Sequence, residues 1–361
     1  MIKTPLGECC EILDSQRVPI TAKDRKEGPY PYYGANGIQD YVDDYLFDDE
    51  LVLLAEDGGN FGSKERPIAY RVSGKCWVNN HAHVLKPKAG IDVDYLCYAL
   101  MYYDTTGIVN GATRQKLTQK AMRQMTIPLR ILSEQLSIVN LMKRIEIIKE
   151  LRKKQIDELD ELIKARFVEM FGEPISNIKK WKTELMNDVA PIVNYTGAFE
   201  EDVWLLNLDL VEAQTGRIID YLIVKEDEVG NSTCTFDVSN VLYSKLRPYL
   251  NKVVIPDRRG YATSELVPLQ PVASKLNRVY LAYMLRSDEF VNMISEKVAG
   301  AKMPRVSMSD FKKFKVPIPP KVIQESFADF VKQVDKSKVA IQKALEETQL
   351  LFDSLMQEYF G

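Results

Sequence analysis

The sequence carries "GATRQKLTQKAMRQMTIPLRILSEQ" at residues 111–135 and "GAKMPRVSMSDFKKFKVPIPPKVIQ" at residues 300–324. Each stretch begins with Gly-Ala, passes through basic residues, reaches an apolar-Pro-apolar step and ends on Gln at the same offset. Residues 111–172 align on residues 300–361 without a gap, with identities that include Pro128/Pro317, Gln135/Gln324, Ser137/Ser326, Lys149/Lys338, Leu162/Leu351 and Phe171/Phe360. Because an internal repeat decides architecture, the sequence predicts a tandem pair, residues 1–172 and 173–361.

Both halves have the same internal order, a mixed segment followed by a long helical pattern. "YLCYAL" (Tyr95–Leu100) matches "YLAYML" (Tyr280–Leu285) just before the repeat. In the first half, "ELVLLAEDGGNFG" (residues 50–62) predicts a buried strand ended by a glycine turn, and "CWVNNHAHVLKP" (residues 76–87) alternates like a strand. In the second, "NVLYSKLRPYLNKVVIP" (residues 240–256) contains two strand-like runs around Pro248. We predict two mixed α/β domains.

Each mixed segment is followed by a stretch without proline in which apolar residues take helical spacing. The first stretch has Ile138, Leu141, Ile145, Ile148, Ile156, Leu159, Ile163 and Met170, and the second has Phe327, Phe330, Val334, Ile341, Leu345, Phe352, Leu355 and Tyr359. Steps of four and three from Ile341 to Tyr359 form a heptad seam. A single such helix is typical of a domain core, but two copies favour an antiparallel coiled coil about 55 Å long. The predicted molecule is pseudo-two-fold symmetric, with the helices as a ruler between its two domains.

The composition is that of a soluble globular protein: 361 residues, of which 45% are hydrophobic and 27% charged, with a formal net charge of −3. Five cysteines without C-x-x-C spacing indicate reduced thiols in a cytoplasmic protein and argue against a zinc ribbon or a disulfide framework. No apolar run approaches the roughly 20 residues of a membrane helix, and no signal-peptide core is present at the N-terminus. We expect no membrane association.

Motifs of catalysis are few. The sequence contains no G-x-x-x-x-G-K phosphate loop, no G-x-G-x-x-G after a strand and no tetrapeptide of amino-methyltransferases. The two histidines, His81 and His83, are spaced to lie on one face of a strand, where a structural or DNA-facing pair is favoured over a metal or acid-base role. The turn Asp57–Asn60 is interpreted as the end of a strand rather than a phosphate cradle. The sequence predicts no catalytic residue and no bound metal.

The charged residues are segregated along the chain. Residues 40–57 hold eight acids and no Lys or Arg, whereas residues 297–321 hold seven Lys or Arg and one acid. The acidic run is interpreted as a solvated face or a surface for a basic partner, with a divalent-ion site as the weaker alternative. Basic residues on loops neutralise phosphates and donate to guanine, and Asn pairs with adenine. The candidate DNA-binding residues are Asn60, Lys64, Arg66, Asn80, His81, Arg114, Lys116, Asn231, Lys245, Arg247, Arg258, Arg259, Lys302 and Arg305.

The chain resembles the specificity subunits of type I restriction–modification systems. The resemblance rests on "YYGANGIQDYVDDYLFDDELVLLAEDGG" (residues 32–59), "VLYSKLRPYLNKVVIP" (residues 241–256) and the two G-A…I-P…Q transitions into long helices. It covers nearly the whole chain, including the tandem order. In this family an α+β fold joins two target-recognition domains, which here would be residues 1–132 and 173–321, to two conserved spacer helices, residues 133–172 and 322–361.

This resemblance implies a non-catalytic subunit that binds double-stranded DNA. Each target-recognition domain would read one half of a bipartite target, and the helices would set the spacer and dock two modification (methyltransferase) subunits. Restriction (endonuclease and translocase) subunits would complete the complex. The chain itself would hold no cofactor, because S-adenosylmethionine, ATP and Mg²⁺ belong to those partner subunits. The missing methyltransferase and ATPase motifs agree with this division of labour.

The sequence departs from the family pattern in two ways. The chain is somewhat compact, and Arg130-Ile131 stands where the second copy has Pro319-Pro320, so we expect the first long helix to start differently from the second. Two alternatives from other classes stay open. One is a stand-alone DNA-modifying enzyme, and the other is a coiled-coil scaffold without a role on DNA.

Overall fold

The computed structural model describes residues 2–111, 115–298 and 302–361. The chain divides into two compact units. Unit 1 consists of Met1–Arg152 and Ala344–Gly361, and unit 2 consists of Lys153–Lys343. Each unit therefore contains one mixed α/β segment and part of both long helices. None of the helices in the described ranges is long and apolar enough to cross a membrane.

Unit 1 is built on a six-stranded sheet. Its elements are β1 Ile2–Pro5, α1 Leu6–Cys9, β2 Cys10–Ile12, β3 Tyr30–Gly34, β4 Gly37–Val42, β5 Phe47–Ala55, β6 Ala69–Val78, β7 Ala82–Pro87, α2 Val93–Met101, α3 Gln119–Gln124, β8 Thr126–Leu129 and the start of α4 Leu132–Phe171. The sheet order is β2-β7-β5-β6-β3-β4, and β1 pairs separately with β8. Val52 and Leu54 of β5 enter one core cluster while Leu51 and Leu53 enter another. Burial of both faces explains why β5 is a continuous apolar run, and the predicted strand and turn are confirmed.

Unit 2 distributes its strands over two sheets and one separate strand pair. Its elements after α4 are β9 Thr183–Leu185, α5 Met186–Val189, β10 Asp202–Leu206, β11 Ile223–Lys225, β12 Thr233–Phe236, β13 Val241–Ser244, β14 Val253–Val254, β15 Gly260–Thr263, β16 Leu266–Leu269, α6 Arg278–Arg286, α7 Asp288–Glu296, α8 Met308–Lys312, β17 Lys315–Pro317 and α9 Lys321–Phe360. The sheet orders are β11-β10-β15-β12 and β14-β13-β16, and β17 pairs with β9. The two runs predicted around Pro248 are β13 and β14, which pair antiparallel.

The long helices α4 and α9 pair antiparallel within each unit. In unit 1, Arg152 of α4 donates to the carbonyl of Ala344 and the hydroxyl of Thr348, and Lys149 lies 4.6 Å from the ring centroid of Phe352. Residue numbers therefore decrease along α9 where they increase along α4, as expected for antiparallel helices. In unit 2, Phe167 and Phe171 of α4 pack on Phe327 near the start of α9, with centroid distances of 5.5 and 5.4 Å. The predicted coiled-coil pairing is confirmed.

The buried stripe of the first helix differs in part from the prediction. Leu141 and Ile148 were assigned to it, but they are 38% and 42% exposed. Val139 and Met142 are buried instead, in a cluster with Tyr95 and Tyr98 of α2 and Phe352 of α9. Because α4 packs against α2 as well as α9, its buried face is rotated away from a simple heptad seam.

The repeat continues into the backbone of both units. The N–H of Leu6 donates to the carbonyl of Met125 in unit 1, and the N–H of Met186 donates to the carbonyl of Phe314 in unit 2, both at 2.8 Å. In the alignment of the two copies, Leu132 at the start of α4 corresponds to Lys321 at the start of α9. The expectation that the two helices start differently is therefore wrong. Arg130-Ile131 adopts the same turn as Pro319-Pro320 without the rigidity of two prolines.

The stretch "CWVNNHAHVLKP" is two strands rather than one. Residues 76–78 end β6, residues 82–87 form β7, and residues 79–81 turn between them. The side chain of Asn79 accepts a hydrogen bond of 2.8 Å from the N–H of His81, which stabilises this turn. His81 therefore lies in the turn and His83 in the strand, so the prediction that both histidines face one side of a strand is wrong.

Candidate nucleic-acid interface

Three segments of unit 1 come together beside the end of β5. They are residues 56–60, 79–81 and 115–117, named here the loop cluster of unit 1. The N–H of Glu56 donates to the carbonyl of His81 at 2.8 Å, and the N–H of Leu117 donates to the carbonyl of Glu56 at 2.8 Å. The N–H of Gly58 donates to the carbonyl of Gln115 at 3.2 Å. This arrangement unites the candidates Asn60, Asn80, His81 and Lys116.

Three segments of unit 2 come together beside the end of β13. They are residues 245–249, 264–265 and 302–306, named here the loop cluster of unit 2. The N–H of Lys245 donates to the carbonyl of Glu265 at 3.0 Å, and the N–H of Val306 donates to the carbonyl of Lys245 at 2.9 Å. The N–H of Arg247 donates to the carbonyl of Pro304 at 2.8 Å. The candidates Lys245, Arg247, Lys302 and Arg305 thus share one surface, and Asn231 precedes Ser232, which bonds to Ser264 at 2.9 Å.

The two loop clusters have the same backbone. The three hydrogen bonds of unit 1 have counterparts in unit 2 at corresponding positions, and in both units the chain then enters the left-handed region, with φ of +69° at Gly58 and +50° at Arg247. A non-glycine residue in this region is uncommon and marks a position whose backbone is fixed by its surroundings. The repeat thus includes the loops that hold the candidate residues, although sequence identity there is absent.

The side chains on this shared backbone differ in charge between the units. In unit 1 the positions corresponding to Lys245, Arg247 and Glu265 are occupied by Glu56, Gly58 and His81. Arg305 forms hydrogen bonds of 2.9 and 3.0 Å to Glu265, and the corresponding Lys116 lies 3.1 Å from Glu56. The side chains of Lys245 and Arg247 have no polar partner among the described residues. The two clusters therefore present different donors from one scaffold.

A buried charged network supports the loop cluster of unit 1. His83 is fully buried, with Nδ1 2.7 Å from a carboxylate oxygen of Asp14 and Nε2 2.8 Å from the carbonyl of Leu117. Each ring nitrogen thus faces an oxygen that can accept a hydrogen bond. Glu56 lies 3.6 Å from His83 and 2.6 Å from Arg17. Asp14, Glu56 and His83 are residue types that can bind a metal ion, but the carboxylate oxygens of Glu56 already contact Arg17 and Lys116. The bond from His83 to Leu117 connects the segment 115–117 to β7.

The network fixes the protonation of Asp14. Burial would raise the pKa of this carboxyl group, but the hydrogen bond and charge of His83, the N–H of Val84 and the amide of Gln119 outweigh burial and hold the pKa below its usual value. A carboxylate with a lowered pKa stabilises the fold fully above its unfolded-state pKa of about 3.9. That contribution is lost as the pH falls through the lower pKa of the folded state.

We predict that Asp14→Asn lowers the free energy of unfolding by about 2 kcal/mol at pH 7, because asparagine has a single acceptor oxygen, whereas the carboxylate places one oxygen toward His83 and the other toward the N–H of Val84. The deficit should shrink as the pH falls below about 4, because the carboxyl group of the unfolded wild-type chain then takes up a proton and the stability gained from ionised Asp14 declines. Urea unfolding of both proteins at pH 7 and pH 3 measures this difference. Asp40→Asn is the matched control, since the N–H of Tyr41 and the side chain of Arg25 also lower the pKa of Asp40, but this residue is exposed. An equal deficit at both pH values would contradict the assignment.

Four candidate residues lie apart from the loop clusters. Lys64 lines a cleft with Tyr102, which follows α2, and Gln357 of α9, and Arg66 is exposed in the same loop. Arg258 and Arg259 precede Gly260, which pairs with Phe236, whereas the loop cluster of unit 2 follows the other end of β15. These four candidates therefore lie outside the two loop clusters, and their contact with DNA stays a prediction. Arg114 lies outside the described residues.

Arg258 and Arg259 are engaged with acids of their own unit. Arg258 lies 4.2 Å from the ring centroid of Tyr221 and 3.1 Å from Asp257, and Arg259 lies 2.7 Å from Glu200.

The acidic run of residues 40–57 forms ion pairs with basic residues of unit 1 at several positions. Arg25 pairs with Asp40, Lys86 with Asp49, and Arg71 with Glu50. Ion pairs inside the unit thus balance part of the acidic run.

Sequence reasoning missed three groups of residues. Asp14, Glu56 and His83 are far apart along the chain, and only the alternation around His83 hinted at a buried position. Glu265 went unnoticed as the partner of Arg305. Gln135 and Gln324 were found as identical positions of the repeat, but no role was assigned to them. At the offset of the repeat, Leu53-Leu54-Ala55 falls on Leu242-Tyr243-Ser244 with one identity.

The chain is a tandem-repeat protein. It has two α/β segments with equivalent loop clusters, and each segment is followed by a long helix. Residues 3–161 and 180–349 both match the type I restriction modification DNA specificity domain. The chain therefore belongs to this family and holds two copies of its domain. The family suggested by the repeat and the loops is confirmed.

Individual relatives agree with this assignment. The EcoDI specificity subunit of Escherichia coli is 22% identical over 98% of this chain and 86% of that protein. A Haemophilus influenzae protein, whose name describes it as a type I restriction enzyme specificity subunit, is 38% identical over 138 residues. These residues are 38% of this chain and 35% of that protein. The chain thus spans about a third of the length of that relative.

Solved structures share the fold. The S subunit of the type I restriction–modification system from M. genitalium superposes with a TM-score of 0.58 at 14% identity, covering 100% of this chain and 96% of that one. A chain from a structure concerned with complex assembly and conformational transition of the type I system gives a TM-score of 0.60 at 15% identity, covering 99% and 97%. The mixed α/β fold with two long helices is therefore that of S subunits.

Proposed function

We propose that the chain is the non-catalytic DNA-reading subunit of a type I restriction–modification complex, in which each loop cluster reads one half of a bipartite target. The observation that carries this proposal is the matched backbone of the two clusters, with different side chains at equivalent positions. Two loop clusters with the same backbone and different exposed donors are suited to bind DNA in the same way while recognising different base sequences. The division into target-recognition domains 1–132 and 173–321 and spacer helices 133–172 and 322–361 belongs to this proposal.

The basic residues of the clusters have distinct roles in this proposal. Lys245, Lys302 and Lys116 neutralise phosphates and fix the position of each unit on the duplex. Arg247, Asn80 and Asn60 have the donor geometry for base edges, Arg for guanine and Asn for adenine. Arg305 is held by Glu265, so it is oriented before DNA arrives and loses less side-chain freedom on binding.

The partners in this proposal are those that the resemblance to the family implies. The long helices set the spacer between the half-sites and dock two modification subunits, which carry S-adenosylmethionine and methylate adenine. Restriction subunits supply ATP- and Mg²⁺-dependent translocation and cleavage. Exposed apolar residues on the helices, among them Ile147, Leu151, Val339 and Leu350, support such docking, because they are 56–69% exposed within otherwise charged helices. The complex acts in the cytoplasm.

The test is to produce the chain with its modification subunit and map the methylated adenines in DNA. We expect one motif of two short half-sites separated by a fixed unread spacer. Affinity for a duplex that carries the motif should fall steeply as salt rises, since phosphate contacts release counterions. Binding or turnover of S-adenosylmethionine by the isolated chain would instead support a stand-alone enzyme. Absent DNA binding in the presence of the partner would support a scaffold.

A further inference from the structure

A fully buried glutamine joins three segments at the start of α4. Gln135 is 0% exposed. Its side-chain oxygen accepts from the N–H of Asp92 at 2.8 Å, and its side-chain nitrogen donates to the carbonyls of Gly90 at 3.0 Å and Arg130 at 2.8 Å. It thus connects the first turn of α4 to the segment before α2 and to the segment after β8.

The same junction exists in unit 2. Gln324 is also 0% exposed, and its oxygen accepts from the N–H of Asn277 at 2.8 Å. Its nitrogen donates to the carbonyls of Lys275 at 3.0 Å and Pro319 at 2.7 Å. The three distances agree with those of Gln135 to within a tenth of an ångström, although the residues contacted differ in type at every position.

A buried tyrosine completes each junction. The hydroxyl of Tyr95 in α2 donates to the carbonyl of Pro128 at 2.6 Å, and the hydroxyl of Tyr280 in α6 donates to the carbonyl of Pro317 at 2.9 Å. Each tyrosine ring also contacts the last phenylalanine of a long helix, Phe360 at 5.1 Å for Tyr95 and Phe171 at 4.8 Å for Tyr280. The short helix of each unit is therefore fixed to both long helices at once.

We propose that Gln135 and Gln324 are positioning residues that fix the direction in which each long helix leaves its reading unit, and that they thereby determine the spacer between the half-sites. This inference rests on the function proposed above. A glutamine suits the role because its amide supplies both a donor and an acceptor in one plane. Every contact is to backbone, so the direction of the helix is set independently of the loop residues that vary between the units.

The geometry explains why another residue cannot replace glutamine. A leucine leaves one N–H and two carbonyls without partners in a buried site, and the segments then shift to reach water or other groups. A glutamate keeps the size and still accepts from the N–H of Asp92, but it places a carboxylate oxygen against the two carbonyls. Both changes disturb the angle between the helix and the reading unit while leaving the loop cluster intact.

The experiment maps adenine methylation by the chain in complex with its modification subunit, on a plasmid library in which the spacer varies around its native length. For Gln135→Leu, Gln135→Glu and Gln324→Leu, we expect methylation of spacers one base pair longer or shorter, relative to the native spacer, to rise about tenfold. The half-site sequences should stay unchanged. Because the junctions match, the variants in the two units should have similar effects.

Matched controls separate positioning from stability. Val72→Ala in unit 1 and Val254→Ala in unit 2 remove buried side chains of the strand cores, at 3% and 1% exposure. They should lower total methylation without changing the preference for the spacer. The inference is overturned if the glutamine variants keep the wild-type spacer preference, or if the controls relax it equally. Wild-type complex without any bipartite motif would instead refute the proposed function.

Discussion

Deletion of one helical turn from both long helices should move the methylated motif to a shorter spacer while both half-sites keep their sequences. Residues 150–153 of α4 and 346–349 of α9 are a matched slice, because Arg152 and Thr348 contact each other across the helix pair. At about 1.5 Å per residue, four residues shorten each helix by about 6 Å, or roughly one or two base pairs of duplex. Methylation of the native spacer should fall about a hundredfold or more, since one half-site then loses its base contacts.

The measurement is the same methylation map made for the wild-type and shortened complexes. Deletion in only one helix is the control. It leaves the two helices out of register on one side of the gap, so the Lys149–Phe352 and Lys338–Asp160 pairs cannot both form, and we expect loss of folded protein rather than a shift of the spacer. Altered half-sites with an unchanged spacer would show that the helices do not measure the separation.

The parts of the fold that could be predicted are those set by periodicity and repetition. The long helices were identified because apolar spacing, the lack of proline and a second copy all agreed, and their first residues differ by few positions from the structure. Strand β5 was identified because burial of both faces makes a continuous apolar run. The helix faces were harder, since the burial of Val139 in place of Leu141 depends on packing against Tyr95 and Tyr98 of α2.

The candidate site was less predictable because its contacts join distant segments. The pairs Glu56 with His81 and Lys245 with Glu265 are backbone contacts, so they leave no trace in residue type. The two loop clusters share the same backbone hydrogen bonds, but their exposed side chains differ. A comparison of residue identities therefore does not detect the repeat in these loops. Residue type alone likewise does not indicate that Arg258 and Arg305 lie at opposite ends of β15.

Arg247→Gly should weaken reading of the second half-site alone. Arg247 is exposed, takes a φ of +50° and corresponds to Gly58, so glycine retains the backbone of the loop and removes the side chain with its guanidinium group. The left-handed conformation costs a non-glycine residue about 1–2 kcal/mol, and the variant should therefore be no less stable than wild type. Loss of one bidentate base contact costs about 1–3 kcal/mol, so affinity should fall roughly tenfold to a hundredfold.

The base preferences distinguish the possible causes of that loss. If Arg247 reads a base, Arg247→Gly relaxes the methylated motif at one position of the second half-site and leaves the first half-site unchanged. Arg258→Ala removes the same charge from unit 2, but this arginine is paired with Asp257 and packed on Tyr221, so its effect on affinity should be several times smaller. Equal losses from the two variants, uniform over all sequences and abolished at high salt, would mean that charge alone matters. The loop cluster of unit 2 would then hold the duplex without reading it, and the matched backbones would need another explanation.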